Sequence, residues 1–165
     1  MDGCLPPIYV PRENAAEIAR NILEHFRWPP NGTPVCPECG SHWPIYKQSR
    51  KGVEGYYRCP SAHQHPSGTS NPLVFTVRTG TLLERSHLPL DKWLYCLWLY
   101  GRLPSQHSIP SASALAQAID INRKTASSLL NQLYQLRYGR LCDDPANRFL
   151  RELMAEQAWQ RPLPS

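Results

Sequence analysis

The residues best suited to chemistry are cysteines and histidines in the middle of the chain. Cys36 and Cys39 form a Cys-x2-Cys knuckle closed by Gly40, a spacing that lets two thiolates face one cation. A second half-site is expected about 15–20 residues further on. Cys59 stands there, but no cysteine follows it by two residues. The sequence therefore predicts one structural zinc ion bound by Cys36, Cys39, Cys59 and His63, with His65 as the alternative fourth ligand.

Residues 112–134 predict a helix-turn-helix, with helices at about Ala112–Ile119 and Arg123–Tyr138. Ala116 is a small residue where two helices would cross, Asp120 occupies a turn position that is usually glycine, and Asn122 can cap the second helix. That helix has one apolar face, formed by Ala126, Leu129, Leu130 and Leu133. Cationic, hydroxyl and amide side chains suited to phosphates and base edges lie on the rest of the helix: Arg123, Lys124, Ser127, Ser128, Asn131 and Gln135.

The charge distribution favours a polyanionic partner for the middle of the chain. The 165 residues carry 18 Lys and Arg against 13 Asp and Glu, a formal net charge of +5. Residues 35–142 hold 12 basic and 5 acidic residues, so the positive charge is concentrated there. No apolar run approaches the ~18 residues needed to span a bilayer. The N-terminus lacks signal-peptide features, which predicts a cytoplasmic, nucleoid-associated protein with reduced thiols.

The sequence predicts an α+β fold in four segments, and the elements of these segments must position the residues named above. Residues 1–34 hold a tail and an amphipathic helix, with an apolar stripe at Ala15, Ile18, Ile22 and Phe26. Residues 35–81 form a zinc ribbon from β-prone pieces at 43–47, 55–58 and 73–78. Residues 82–140 form the helical DNA-binding part, including a mostly buried helix from Leu90 that stops at Gly101. Residues 141–165 form a helix over about 145–159 and a tail.

Several stretches resemble the zinc-ribbon transposases of the insertion-sequence family fifteen-ninety-five. They are RWPPNGTPVCPECGS (27–41), YYRCPS (56–61), FTVRTGTLLERSHLPLDKWLYCLWLY (75–100) and the helix-turn-helix. The resemblance covers about residues 14–140. It implies that the last ribbon strand runs through Thr79-Gly80-Thr81 into a linker. It also implies that this part of the chain recognises the terminal repeats of a mobile element.

Two features depart from that family. The second knuckle pairs Cys59 with a histidine instead of a second cysteine, and residues 60–72 form a longer loop. The family's catalytic domain needs three carboxylates on a sheet, holding two divalent metals. Only about 25 residues follow position 140, with acidic residues on one short helical piece: Asp143, Asp144, Glu152 and Glu156. We therefore expect no strand-transfer activity from this chain.

The sequence thus predicts a non-catalytic protein that binds double-stranded DNA through a helix-turn-helix and a structural zinc ribbon. A separate transposase or nuclease subunit is a possible partner. The alternative is a protein-interaction adaptor that docks a partner through the ribbon and the Trp-rich helix at 93–100. An enzyme is the third hypothesis, but no Ser/His/Asp set stands out, and His87 and His107 are isolated.

Overall fold

The computed structural model describes residues 9–50, 53–64 and 70–155, which form two compact units. We call residues 23–86 the ribbon unit, and residues 9–22 together with 87–155 the helical unit. Five helices and one small sheet give the α+β fold that the sequence predicts. The finer division at residues 34, 81 and 140 stays a prediction. Within the described residues, no helix is long and apolar enough to cross a membrane.

The ribbon unit contains a three-stranded antiparallel sheet in the order β1-β2-β3. The strands are β1 (Tyr46–Arg50), β2 (Val53–Gln64) and β3 (Ser70–Phe75). All three predicted β-prone pieces overlap a strand, but β2 is much longer than predicted because it continues past a β-bulge. Side chains that pair directly across the strands share one face, so the register defines an inner and an outer surface.

Aromatic residues form the core on the inner surface of the sheet. Tyr57 of β2 pairs with Phe75 of β3, and both side chains are buried. The Trp28 ring packs edge-on against them, with centroid distances of 5.5 Å to Tyr57 and 6.2 Å to Phe75. Edge-to-face packing suits the quadrupoles of these rings. This aromatic cluster joins the sheet to the segment that follows the first helix.

The segment after β3 is a series of turns, so the expectation that the last strand continues through Thr79-Gly80-Thr81 is wrong. Gly80 has a positive φ of 73°. Arg27 donates hydrogen bonds to the carbonyls of Thr76, Val77 and Thr79, at 3.2, 2.6 and 2.7 Å. By binding three carbonyls, the Arg27 guanidinium stabilises the turns that follow the end of β3 at Phe75.

The first helix, α1 (Ala15–Arg27), begins in the helical unit and ends in the ribbon unit. Its buried residues are Ala19 and Leu23, which lie four apart on one face. The predicted stripe is therefore wrong by about one position. Ile18, which was expected inside, is 45% exposed. Apolar residues at neighbouring helical positions made either face compatible with the sequence, and tertiary packing decided between them.

The helical unit consists of α2 to α5 and two short 3-10 turns. The helices are α2 (Leu90–Arg102), α3 (Ala112–Ile119), α4 (Arg123–Tyr138) and α5 (Arg148–Met154). The bounds of α3 and α4 are those predicted. The predicted helix at 145–159 is instead a 3-10 turn at Pro145–Asn147 followed by α5, and residues from 156 onward lie outside the described part.

Four residues of helix α2 are fully buried, Trp93, Cys96, Leu97 and Tyr100, and the other residues from Leu90 to Gly101 are half-buried. The helix is therefore covered on most sides, as the sequence predicts. Gly101 does not stop the helix, which continues to Arg102. A Cβ atom at Gly101 would overlap the carbonyl oxygen of Met154 in α5 and lie 2.7 Å from its carbonyl carbon. Glycine is needed there because two helices approach closely.

Candidate metal centre and helix-turn-helix

The predicted knuckle forms a tight turn in the ribbon unit. The Gly40 N–H donates to the Cys36 carbonyl at 3.0 Å, and Gly40 takes a φ of 69°. The Cys36 N–H donates to the Ser41 carbonyl at 2.8 Å. Cys36 is buried and Cys39 is exposed. The turn therefore presents two thiols of different accessibility toward one point.

The other two predicted ligands lie on β2, on either side of its β-bulge. Cys59 pairs with Leu73, whereas His63 pairs with Asn71. In a regular strand the four-residue step from Cys59 to His63 would span ~13 Å. The two-residue step between their partners on β3, Leu73 and Asn71, spans only ~7 Å. Two extra residues of β2 are accommodated between Cys59 and Ala62. The bulge thus shortens the separation of Cys59 and His63 enough for both to reach the same ion.

The four ligand atoms converge. All of them lie within 4.8 Å of one another in the cluster Cys36, Cys39, Cys59 and His63. The Sγ atoms of Cys39 and Cys59 are 3.7 Å apart, and Cys36 Sγ is 3.7 Å from His63 Nε2. A tetrahedron with Zn–S bonds of about 2.3 Å and Zn–N bonds of about 2.0–2.1 Å has edges of roughly 3.6–3.8 Å. The cluster therefore suits one tetrahedral zinc site with only protein ligands.

Protonation of the thiols reflects their surroundings in the protein. Burial raises the pKa of Cys36 to about 11. Burial also opposes ionisation of Cys59, but hydrogen bonds from His63 and Ser61 outweigh it and lower the pKa of Cys59 to about 6. Zinc binds the thiolate form of cysteine, so the hydrogen bonds to Cys59 favour the state that binds the metal.

Two of the remaining cysteines, Cys96 and Cys142, lie outside this cluster. Cys96 is buried in α2, and burial raises its pKa to about 12, which is typical of a packed, unreactive thiol. Cys142 is half-buried. Cys4 and His65 lie outside the described residues. His63 is thus the histidine that the structure brings to the three cysteines.

Helices α3 and α4 are joined by a turn that contains the two features predicted from the sequence. Asp120 adopts a left-handed conformation, with φ 51° and ψ 68°, at the end of α3. The Asn122 side chain accepts a hydrogen bond from the Thr125 N–H at 2.8 Å and caps α4. The N–H of Ile121 donates to the Ala116 carbonyl at 3.0 Å, which closes the turn. Ala116 itself is buried between the helices.

Helix α4 is strongly two-sided. Ala126, Leu129 and Leu133 are buried, while Leu130 is half-buried. Five of the six predicted DNA-contacting residues are exposed: Arg123, Lys124, Ser127, Ser128 and Asn131. Gln135 is half-buried, and its side-chain oxygen accepts a hydrogen bond from the Arg140 N–H at 3.2 Å. Gln135 therefore also helps to end the helix.

The structure adds a cation that the sequence did not associate with this motif. Lys92 of α2 donates from Nζ to the Asp120 carbonyl at 3.0 Å. This contact places a positive charge beside the turn, near the start of α4 where Arg123 and Lys124 lie. Sequence reasoning missed it because Lys92 lies 28 residues before Asp120 on another helix.

Comparison with known proteins supports the ribbon. Residues 16–64 match the family model described as the transposase zinc-ribbon domain, of the IS1595 type. The matched range includes Cys36, Cys39, Cys59 and His63. No match to the chain was found among curated proteins or among solved structures. The chain therefore contains a transposase-type zinc ribbon with a cluster suited to one zinc ion.

Proposed function

We propose that this protein binds double-stranded DNA through α4, in the manner of the end-recognition part of a transposase, with the zinc ribbon as a structural module. The observation that carries the proposal is the exposed face of α4. Its first residues present Arg123 and Lys124, and Ser128 and Asn131 follow one and two turns later. In a helix-turn-helix the N-terminal part of the second helix enters the major groove. Hydroxyl and amide groups there can contact phosphates and base edges.

The capped start of α4 strengthens this proposal. Asn122 satisfies one of the free N–H groups of the first turn, which fixes where the helix begins. Lys92 adds a third cation beside Arg123 and Lys124. The match of the ribbon to a transposase domain supplies an independent reason to expect a nucleic-acid partner.

We further propose that this chain binds DNA without cutting it. Two of the acidic residues near the C-terminal end of the described part have structural partners. Asp144 accepts hydrogen bonds from the Ala146 N–H at 3.0 Å and from Asn147 Nδ2 at 2.7 Å. Glu152 pairs with Arg148 at 3.4 Å. Asp144 therefore caps a short turn and Glu152 forms an ion pair, both within one short helical segment. Any catalytic partner would then be a separate transposase or nuclease subunit.

Binding should be tested with the full chain. The target sequence has to be found first. Selection from a pool of random duplexes would supply a target, whose binding is then measured by anisotropy at several salt concentrations. We expect Lys124→Ala to weaken binding to all duplexes and to reduce the salt slope by about one. Asn131→Ala should relax the preference at one base pair, at a cost of about 1–3 kcal/mol.

The matched control is Arg148→Ala, which removes an exposed cation from α5. It should leave duplex binding within about twofold of the unchanged protein. Absence of duplex binding, or binding that does not depend on salt, would overturn the proposal. A nicking assay with Mg2+ or Mn2+ tests the second part, and cleavage by the purified chain would refute it.

One observation favours the alternative of a protein-docking adaptor. The helical unit has an apolar groove of about 530 Å³, lined in part by Ile18, Leu94, Tyr95 and Trp98. Exposed apolar surface of this kind often binds a partner. Under this alternative, Ile18→Asp abolishes association with a defined protein partner in nuclease-treated extract, and Lys124→Ala does not. The reverse pattern, with duplex binding sensitive only to Lys124, favours the DNA proposal.

A further inference from the structure

An exposed tryptophan stands next to the metal knuckle. The Trp43 side chain is 80% exposed, although burial is where a large aromatic ring gains most. Its backbone is nevertheless well fixed. The Ser41 hydroxyl donates to the Trp43 carbonyl at 2.8 Å, and the Trp43 N–H donates to Ser41 Oγ at 3.3 Å. Ser41 in turn accepts from the Cys36 N–H. The knuckle therefore holds Trp43 in an exposed position.

A second aromatic residue follows Trp43 closely in the chain, and an arginine pairs with it in the sheet. Tyr46 is the first residue of β1 and is 52% exposed. It pairs with Arg58 of β2, so both side chains lie on the outer face, opposite the buried pair of Tyr57 and Phe75. We call residues 41–58 the aromatic-basic hairpin.

The charge of the aromatic-basic hairpin indicates what binds to it. Its described residues, 41–50 and 53–58, contain three basic residues, Lys47, Arg50 and Arg58, and one acidic residue, Glu54. Tryptophan, tyrosine and arginine also occur at protein-binding hot spots. An excess of two positive charges within these 16 residues, however, complements a phosphate backbone better than an ordinary protein surface.

We propose that the aromatic-basic hairpin binds unpaired DNA, with bases stacked on Trp43 and Tyr46 and phosphates near Arg58. The proposal rests on the DNA-binding function proposed above and extends it to a second surface and a second form of DNA. In a duplex, neighbouring base pairs cover the faces of each base. An unpaired base offers its face to an exposed aromatic ring, without regard to sequence. The hairpin thus has the composition of a single-strand stacking surface, whereas α4 has that of a duplex-reading helix.

The test measures binding of the full chain to a fluorescein-labelled oligonucleotide of fifteen thymidines, and in parallel to the selected duplex. Stacking of one base on an aromatic side chain corresponds to a factor of about 5 to 150 in affinity. Trp43→Ala should weaken binding to the thymidine strand at least fivefold. Trp43→Phe, which keeps an aromatic face, should restore most of it. Zinc content and near-ultraviolet circular dichroism confirm that each variant is folded.

Two controls separate this proposal from the duplex proposal. Val10→Ala removes another exposed apolar side chain, 74% exposed, and should not change binding to the thymidine strand. Lys124→Ala should weaken duplex binding more than binding to the thymidine strand. Equal affinity of Trp43→Ala and the unchanged protein for the thymidine strand overturns the proposal, even if duplex binding is intact. It would also point to a protein partner at this surface. Loss of strand binding in Trp43→Ala supports the proposal even where no duplex is bound.

Discussion

Replacement of the fourth ligand gives the sharpest test of the metal centre. His63→Ala removes the nitrogen that lies 3.7 Å from Cys36 Sγ. Structural zinc sites of this size bind with about 10–16 kcal/mol, so one of four ligands represents about 3–4 kcal/mol. A water molecule can take the open position and recover part of this. We therefore expect a loss of about 2–4 kcal/mol, or a 30- to 1,000-fold weaker zinc affinity.

The assay is competition with a chelator of known zinc affinity, combined with the absorption spectrum of the Co2+-substituted protein. Three sulfurs and one nitrogen give ligand-field bands different from those of four sulfurs or of three sulfurs and water. His63→Cys should keep tight binding and shift the bands toward the four-sulfur pattern. His65→Ala is the matched control and should leave both affinity and spectrum unchanged. Normal affinity in His63→Ala, together with lost affinity in His65→Ala, would refute the assignment and the role given to the bulge.

Three further substitutions test the packing, the turn and the arginine contact. Gly101→Ala should lower the free energy of unfolding by about 1–3 kcal/mol because its Cβ meets the backbone of α5. A Cβ at Gly139 would meet mainly the flexible Gln135 side chain, with the Gln135 Cα at 3.0 Å, so Gly139→Ala should cost less than Gly101→Ala by thermal denaturation. Asp120→Gly should raise the free energy of unfolding by about 1 kcal/mol by relieving its left-handed conformation, and Asp120→Asn should not. Arg27→Lys, which cannot bind three carbonyls with a planar fork, should cost about 1–3 kcal/mol in urea denaturation.

The sequence predicted best those elements whose signals are local. Helices α3 and α4 have the predicted bounds because Asp120 and Asn122 mark the turn and the cap by their own chemistry. The knuckle was equally clear, since Cys36 and Cys39 are three residues apart. The sequence also pointed to His63 as fourth ligand, by its spacing from Cys59.

Features that depend on distant partners were the ones missed. Gly101 resembles a helix stop in sequence, and only the approach of α5 shows its packing role. The turns after Phe75 are stabilised by Arg27, which lies about 50 residues earlier. The face of α1 could not be chosen from the sequence because apolar residues occupy several adjacent positions. Lys92 beside Asp120 is a contact between helices that no local pattern encodes.

The bulge in β2 has a consequence for strand pairing. A slip of one residue turns every side chain of a strand to the opposite face and is therefore strongly disfavoured. A slip of two residues keeps each side chain on its face, so hydrophobic alternation does not distinguish the two alignments. Beyond the irregularity between Cys59 and Ala62, the pairing of β2 with β3 is displaced by two residues from regular pairing. The alignment with the irregularity is the one in which Cys59 and His63 reach one ion together with the knuckle. Zinc binding therefore stabilises this alignment relative to regular pairing, a preference that the apolar residues do not supply.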